Sequence, residues 1–207
     1  MITGPRYKLA KRLGASVFEK TQTQKFAMAK ERTEKNKKRG KGRGRQSEYG
    51  KQILEKQKVR VTYGVTERQF RNYVRKALAA TGGEHSPLER LHELLEMRLD
   101  NVIWRMGLVS TRRAARQMVA HGHIMINGKK IRVPSYNVEL TDTISVREGS
   151  KSHGSFAALA DRFSERPMPS WLKWNLASMS GQLAQVPTSA SAESAGDLAA
   201  VLSFYTR

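Results

Sequence analysis

Arg112, Arg113 and Arg116 stand in the stretch VSTRRAARQMVAHGHIMINGKKIRV (109–133), in the first turns of a segment that reads as a helix. The amino end of a helix carries partial positive charge, so three cations there oppose the dipole. A phosphate reverses that balance, because the open amides of the helix start and the guanidinium groups then converge on one anion. Ala114, Ala115, Met118 and Val119 share an inward stripe, which leaves Arg112, Arg113, Arg116 and Gln117 on or beside the outward face. Ordinary surface pairing with carboxylates is the competing explanation, but 109–133 contains no Asp or Glu. Lys129 and Lys130, just past a turn, extend the cationic surface. Phosphate binding is the chemistry this stretch suits.

The elements that must hold these residues are legible from local signals. Ser110 or Thr111 caps the helix, and Gly122 ends it. Asn127–Gly128 then joins two strand-like runs, since both turn positions need positive φ. TISVR (143–147) reads as a further strand after a turn at Thr141–Asp142. Upstream, YGKQILEKQKV (49–59) reads as a helix with a thin apolar face. Thr66 and Gln69 have capping-box spacing ahead of a second helix, with Phe70, Tyr73, Val74 and Leu78 on one stripe and Gly82–Gly83 as the stop. Ser86 and Glu89 repeat the capping box, with Pro87 at the first helical position. The apolar face that follows, Leu88, Leu91, Leu95, Leu99, Val102 and Met106, runs to Gly107, with a bend or break near Arg98. A helix is expected at about 153–165. WLKWN, GQLAQV and LAAVLSFYTR read as short strands or turns around a polar loop at 188–197.

The whole chain matches the opening stretch in charge. Its 207 residues hold 38 Lys and Arg against 18 Asp and Glu, a net charge of +20. That excess opposes compaction unless a polyanion is bound, and nucleic acid is the first candidate. Residues 1–50 alone carry 15 basic and 4 acidic residues, and KNKKRGKGRGR (35–45) has seven cations in eleven positions. Such a tract buries no apolar area and is expected to be an extended arm, disordered when alone, that orders on nucleic acid. No cysteine is present, which excludes disulfides and cysteine-ligated metal. No apolar run has the length of a membrane span, and MITGPRYKLAKRLG lacks a signal peptide's core, so a soluble cytosolic protein is expected. Charge alone leaves an anionic membrane surface open.

A helix start beside a hairpin suits phosphate and sugar contacts on a folded backbone better than lengthwise insertion into a DNA groove, which favours RNA. RLDNVIWRMG, STRRAARQMVAHGHIMINGKKIRV and PSYNV resemble the RNA-binding module named after ribosomal protein S four. TGPRYKLAKRLG, SEYGKQILEKQKVRVTYGVTERQFRNYV and SFYTR extend the resemblance, in order, to the bacterial small-subunit ribosomal protein S four family. The match weakens at 13–45 and 148–200, and the cysteine-ligated metal site of some members is absent.

The resemblance implies direct, early binding of 16S ribosomal RNA at a junction in its 5-prime domain, and nucleation of small-subunit assembly. It also implies contact with ribosomal protein S five and other small-subunit proteins, and a place beside the channel where messenger RNA enters, with influence on decoding accuracy. In the module, Arg112, Arg113, Arg116, Gln117, His121 and His123 match RNA-facing positions. Tyr49, Lys56, Lys58, Arg60, Arg68, Arg71 and Arg75 match the basic face of the helical domain. In the arm, Lys8, Arg12, Lys37, Lys38 and Arg39 are candidate RNA contacts, and Arg43 and Arg45 lie near the stretch that faces messenger RNA.

The expected fold class is α+β. A basic extended arm (1–46) precedes a small helical domain (47–97, joined by 186–207), with an inserted helix-plus-antiparallel-hairpin module and small sheet at 98–185. The expected role is structural and ribosomal, without catalysis, cofactor, metal or membrane partner. Two rivals carry weight. Arg98-Leu99-Asp100 matches a tripeptide around the catalytic aspartate of pseudouridine synthases, but here it precedes the module, in a helix, with no second domain to form a cleft. Free-standing rescue or heat-shock RNA binders use the module but are short and lack the arm and helical domain. His121 and His123 lack further ligands at metal spacing and suit donation to phosphate or sugar. Trp104 falls on the helical stripe and reads as core, and Trp171 and Trp174 are not assigned. There is no phosphate-cradling Walker loop and no supported Ser/His/Asp arrangement.

Overall fold

The computed structural model describes residues 5–14, 17–18, 21–39, 47–79, 86–152, 154–157, 168–188 and 195–206. The chain divides into two compact units, residues 1–78 with 194–207, and residues 79–193. Helix Pro87–Glu96 therefore belongs with the second unit, whereas the sequence pattern groups it with 47–97.

The first unit holds α1 (Arg6–Leu13), α2 (Gln24–Arg39), α3 (Glu48–Thr62) and α4 (Glu67–Ala79). Ser47 caps α3 by accepting from the Gly50 amide at 3.2 Å. Thr66 accepts from the Gln69 amide at 3.4 Å ahead of α4, which buries Phe70, Val74 and Ala77. The arm departs from the extended form expected of it. Ala10 and Phe26 are buried, Tyr7 meets Phe26 edge-on at 5.1 Å, and α2 continues through Arg39. The physical reason lies in composition: 24–39 is free of Gly and Pro and rich in Lys, Glu, Ala and Arg, all good helix formers. The glycine-interleaved part, 40–46, lies outside the described residues.

The same unit is completed by a helix where strands or turns were expected, at Leu198–Tyr205. Asp197 accepts from the Ala200 amide at 3.0 Å, and its own amide donates to Glu55 Oε2 at 3.0 Å. Leu198 and Val201 are buried as this helix packs on α3. The run LAAVLSFY has no alternation of polar residues, and its cap is local. Asp197 was the missed signal.

The second unit begins with α5 (Pro87–Glu96), whose capping box is fully formed. Ser86 Oγ accepts from the Glu89 amide, and Glu89 accepts from the Ser86 amide at 2.9 Å. The apolar stripe then breaks at Arg98, which is extended and bridges to Asn137. The Leu99 and Asp100 amides donate to Tyr136 and Pro134 carbonyls, at 2.8 and 3.1 Å, instead of to a preceding turn. Two helices result, α5 and α6 (Leu99–Arg105), followed by α7 (Arg112–His121).

β1 (Ile124–Ile126), β2 (Lys129–Lys130), β3 (Thr143–Val146), α8 (Gly154–Ala157), β4 (Leu172–Asn175) and β5 (Ser180–Leu183) follow. α8 falls within the helix expected at about 153–165, of which 153 and 158–165 lie outside the described residues. The sheet is antiparallel throughout, in the order β2-β1-β3-β5-β4. Its inner face gives Ile124, Ile126, Ile144 and Val146 to a core shared with Leu99, Ile103, Met106, Ala115, Val119 and the fully buried Trp171. With the final helix Leu198–Tyr205 as α9, the chain is α+β. Among the described residues no helix is long and apolar enough to cross a membrane.

Candidate nucleic-acid interface

Helix α7 starts where its sequence predicts. Thr111 Oγ1 accepts from the Ala114 amide at 2.9 Å, Ala115, Met118 and Val119 are buried, and Gly122 closes the helix at φ 75°. Arg113 and Gln117 are exposed, while Arg112 and Arg116 are half-buried. That difference comes from α6. The Arg112 guanidinium lies 3.5 Å from the Trp104 ring centroid, and its Nε donates to Asn101 Oδ1 at 2.8 Å. Asn101 in turn donates to the Glu96 carbonyl and carboxylate, at 3.0 and 2.9 Å. Arg105 grips the same carboxylate with two bonds, at 2.8 and 2.9 Å.

A second acidic group, Asp100, changes the pairing argument. Arg98 binds it through two bonds of 3.0 and 2.6 Å, and Arg116 Nη1 reaches to 4.0 Å of its Oδ2. One acidic partner absent from 109–133, Asp100, thus arrives from the preceding helix. Both carboxylates are nonetheless gripped by Arg98 and Arg105, so five arginines (98, 105, 112, 113 and 116) face two acids (Glu96 and Asp100). The amino end of α7 keeps a cationic excess on oriented side chains, which is the arrangement that a phosphate complements. Trp104, expected in the core, is half-buried; its Nε1 donates to the Ser110 carbonyl at 3.2 Å and its face carries Arg112. Asp100 has the hydrogen-bonding role expected for it.

The hairpin positions the other end of the surface. Asn127 and Gly128 take φ of 50° and 76°, as their turn requires. Asn127 Nδ2 donates to Asp142 Oδ1 at 2.7 Å and its Oδ1 accepts from the Thr143 amide at 2.8 Å. Asp142 Oδ2 accepts from Tyr136 Oη and the Glu139 amide, both at 3.0 Å. Burial first, and then the bond to Asp142, push the Tyr136 hydroxyl above the ordinary tyrosine range. Lys129 and Lys130 project from this anchored turn and are exposed. The Lys130 stem crosses Gly122 so closely that a Cβ there would lie 2.1 Å from its Cε. His123 is half-buried beside Ser150 Oγ at 3.0 Å, and exposed His121 lies 6.0 Å from it, ring to ring. Among the described residues no group of three His, Asp or Glu could hold a metal.

In the first unit the expected basic face divides. Arg68, Arg71 and Arg75 are exposed at helical spacing on α4, and none of them has an ion pair among the described residues. Lys8 and Arg12 are exposed on α1. Lys56 is not part of that face: it is 9 % exposed, donates to Glu67 at 2.8 Å and sits 4.4 Å from the Phe204 ring centroid. Arg60 is half-buried, bonded to Gln57 Oε1 at 2.7 Å with its Nε 3.5 Å from Glu67 Oε2, and Lys58 pairs with Glu55 at 3.4 Å. Tyr49 is exposed and stacks on Phe204 with ring centroids 5.6 Å apart. Tyr205 Oη donates to Glu67 at 2.8 Å. Burial would raise the Glu67 carboxyl, but the bonds from Lys56 and Tyr205 and the charges of Lys56 and Arg60 outweigh it and leave it below the ordinary range. Lys37, Lys38 and Arg39 fall at the carboxyl end of α2. Arg43 and Arg45 lie outside the described residues.

Known proteins resemble the chain along most of its length. The Ribosomal protein S4/S9 N-terminal domain matches residues 1–96, and the S4 domain matches 97–144. The junction falls beside the α5–α6 break. Proteins named small ribosomal subunit protein uS4 from Shewanella loihica and Hahella chejuensis are each 41% identical over 184 residues, covering 89% of this chain and 88% of theirs. The namesake from Dichelobacter nodosus is 42% identical over the same coverage. With both halves of the pattern matched in order, the chain belongs to the uS4 family of small ribosomal subunit proteins, a structural and non-enzymatic family.

Proposed function

We propose that this chain is a structural constituent of the small ribosomal subunit that binds ribosomal RNA directly. The observation that carries this reading is the amino end of α7, where Trp104 and Asn101 hold Arg112 and Asp100 steadies Arg116, beside exposed Arg113 and Gln117. Family membership supplies the ribosome, and this geometry supplies the phosphate-binding chemistry. In the finer form of the proposal, the chain binds 16S ribosomal RNA at a junction in the 5-prime domain and nucleates assembly. It then contacts ribosomal protein S five, and its arm, through Arg43 and Arg45, faces messenger RNA near where it enters the subunit.

The mechanism is electrostatic capture followed by recognition of a folded backbone. A net charge of +20 draws the polyanion in, and oriented guanidinium groups select its shape. The arm and the exposed row Arg68, Arg71 and Arg75 extend the contact on the first unit, and His121, His123, Lys129 and Lys130 extend it on the second.

The test is co-sedimentation of the purified chain with small ribosomal subunits through a high-salt wash, paired with affinity for a 5-prime domain transcript across a salt series. Retention in the pellet and a steep fall of affinity with salt are expected. A chain that washes off the subunits, or an affinity nearly flat with salt, overturns the reading.

A further inference from the structure

The outward face of the sheet carries two exposed cations, Arg132 and Arg147, that the α7 surface described above does not include. Met125 pairs with Lys130, and the Ile131 amide donates to the Ile124 carbonyl, which brings Arg132 opposite His123. On the other side Ile124 pairs with Val146, and the Arg147 amide donates to the His123 carbonyl at 2.9 Å. Arg132, His123 and Arg147 therefore form one cross-strand row. The next row on that face is Lys130, Met125 and Ser145, because alternate strand residues share a face. The intervening Ile124, Ile126, Ile144 and Val146 are buried in the core, so both rows look outward. Lys130, Arg132 and Arg147 are exposed.

Like charges gathered on one face repel. The Lys130 ammonium is held below the ordinary lysine range by Arg132, two residues along the same segment, then by desolvation and by Arg147. The nearby acids are engaged elsewhere: Glu148 pairs with Lys151 at 2.8 Å, and buried Asp142 anchors the hairpin. Among the described residues none of the three cations has an ion pair. His123 is held in the row by Ser150.

His123, at the middle of the row, follows the Gly122 that closes the carboxyl end of α7, whereas Arg112, Arg113 and Arg116 stand in the first turns of this ten-residue helix, which is about 15 Å long. We propose that the sheet face is a second phosphate-binding surface, with Arg132 and Arg147 as its principal contacts, holding an RNA backbone tract other than the one at the amino end of α7. The inference rests on the RNA-binding reading above. A single module would then clamp two tracts of a folded RNA and recognise their separation, which is shape recognition without base readout.

The test uses the full chain and a 16S 5-prime domain transcript, with binding measured across a salt series and hydroxyl-radical footprinting of the RNA. Wild type is expected to protect two backbone tracts. Arg132→Gln with Arg147→Gln should weaken binding about tenfold or more and lower the salt slope by about two, with one tract exposed and the other still protected. Arg113→Ala with Gln117→Ala should expose the opposite tract. The substituted side chains are exposed, so the thermal melt serves as the folding control, and the two single Arg→Gln variants carry the same test should the pair fail to fold.

Unchanged affinity and an intact footprint in the Arg132/Arg147 variants overturn the second surface while leaving the α7 reading standing. The same holds if these variants keep RNA binding and lose only association with small-subunit proteins. Failure of the wild-type chain to bind the transcript overturns the RNA reading, and this inference with it.

Discussion

Arg112 lies with its guanidinium 3.5 Å from the Trp104 ring centroid while its Nε donates to Asn101. Stacking fixes the plane of the group and the hydrogen bond fixes its rotation, so little entropy remains to be lost when an anion arrives. Replacing Trp104 with Leu is expected to remove about 1 kcal/mol of stacking and weaken RNA affinity about fivefold. Trp104→Phe should keep most of that affinity. Filter binding of both variants checks the claim, and equal losses would assign Trp104 to packing alone.

Glu96 is fully buried and gripped by Arg105 and Asn101. Glu96→Ala removes the carboxylate that takes both bonds from the mostly buried Arg105 guanidinium and leaves Asn101 only the main-chain carbonyl, at a cost of about 3–5 kcal/mol. Chemical denaturation of the second unit, followed through its tryptophan fluorescence, is the direct measurement. An unchanged midpoint would show that water replaces the carboxylate.

Gly122 has φ 75°, and a Cβ added there meets the Lys130 stem. Gly122→Ala should destabilise the unit by about 1–2 kcal/mol through left-handed strain. Gly122→Asn, which tolerates that conformation better, should recover part of the stability but still displace Lys130. Melting temperatures and RNA affinities of the two variants are expected to separate accordingly, with affinity low in both.

Glu67 joins α4 to α3 and to α9 by accepting from Lys56 and from Tyr205. Its carboxyl is held below the ordinary value of 4.5, so the charged form favours the folded state. The sign follows from that depression. The stabilisation is complete above about pH 4.5 and is lost as pH falls through the lower folded-state value. The protection of α9 amides, taken relative to their intrinsic exchange rates, should fall on acidification through that window, and Glu67→Gln should abolish that fall. Protection in α9 that stays constant throughout the window in wild type would remove Glu67 as the link.

Features set within four or five residues are legible from residue types alone. Ser86 with Glu89, Thr111, Gly122 and Asn127–Gly128 each act on their own neighbours, so nothing beyond the local chain is needed to place them. Contacts at longer range escape such a reading. Lys56 resembles part of an outward basic face because its partners are Glu67, eleven residues away, and Phe204, on a helix at the far end of the chain. Asp100 reaches Arg116 across a helix–helix turn, which no count of charges within 109–133 contains. Arg132 and Arg147 come into register only when β1 lies between their strands. Residues 198–205 pass for strand or turn as long as Asp197 counts as the end of a polar loop, and become a helix once it counts as a cap.

The first unit is drawn from both ends of the sequence, 1–78 and 194–207, with the second unit between them. On a ribosome that synthesises the chain from its amino end, residues 1–78 cannot finish folding until 194–207 have emerged. The unit carrying α7 and the hairpin, by contrast, is complete once residue 193 is free. The order of maturation is therefore inverted relative to the order of synthesis for the helical unit, with α9 as its closing piece.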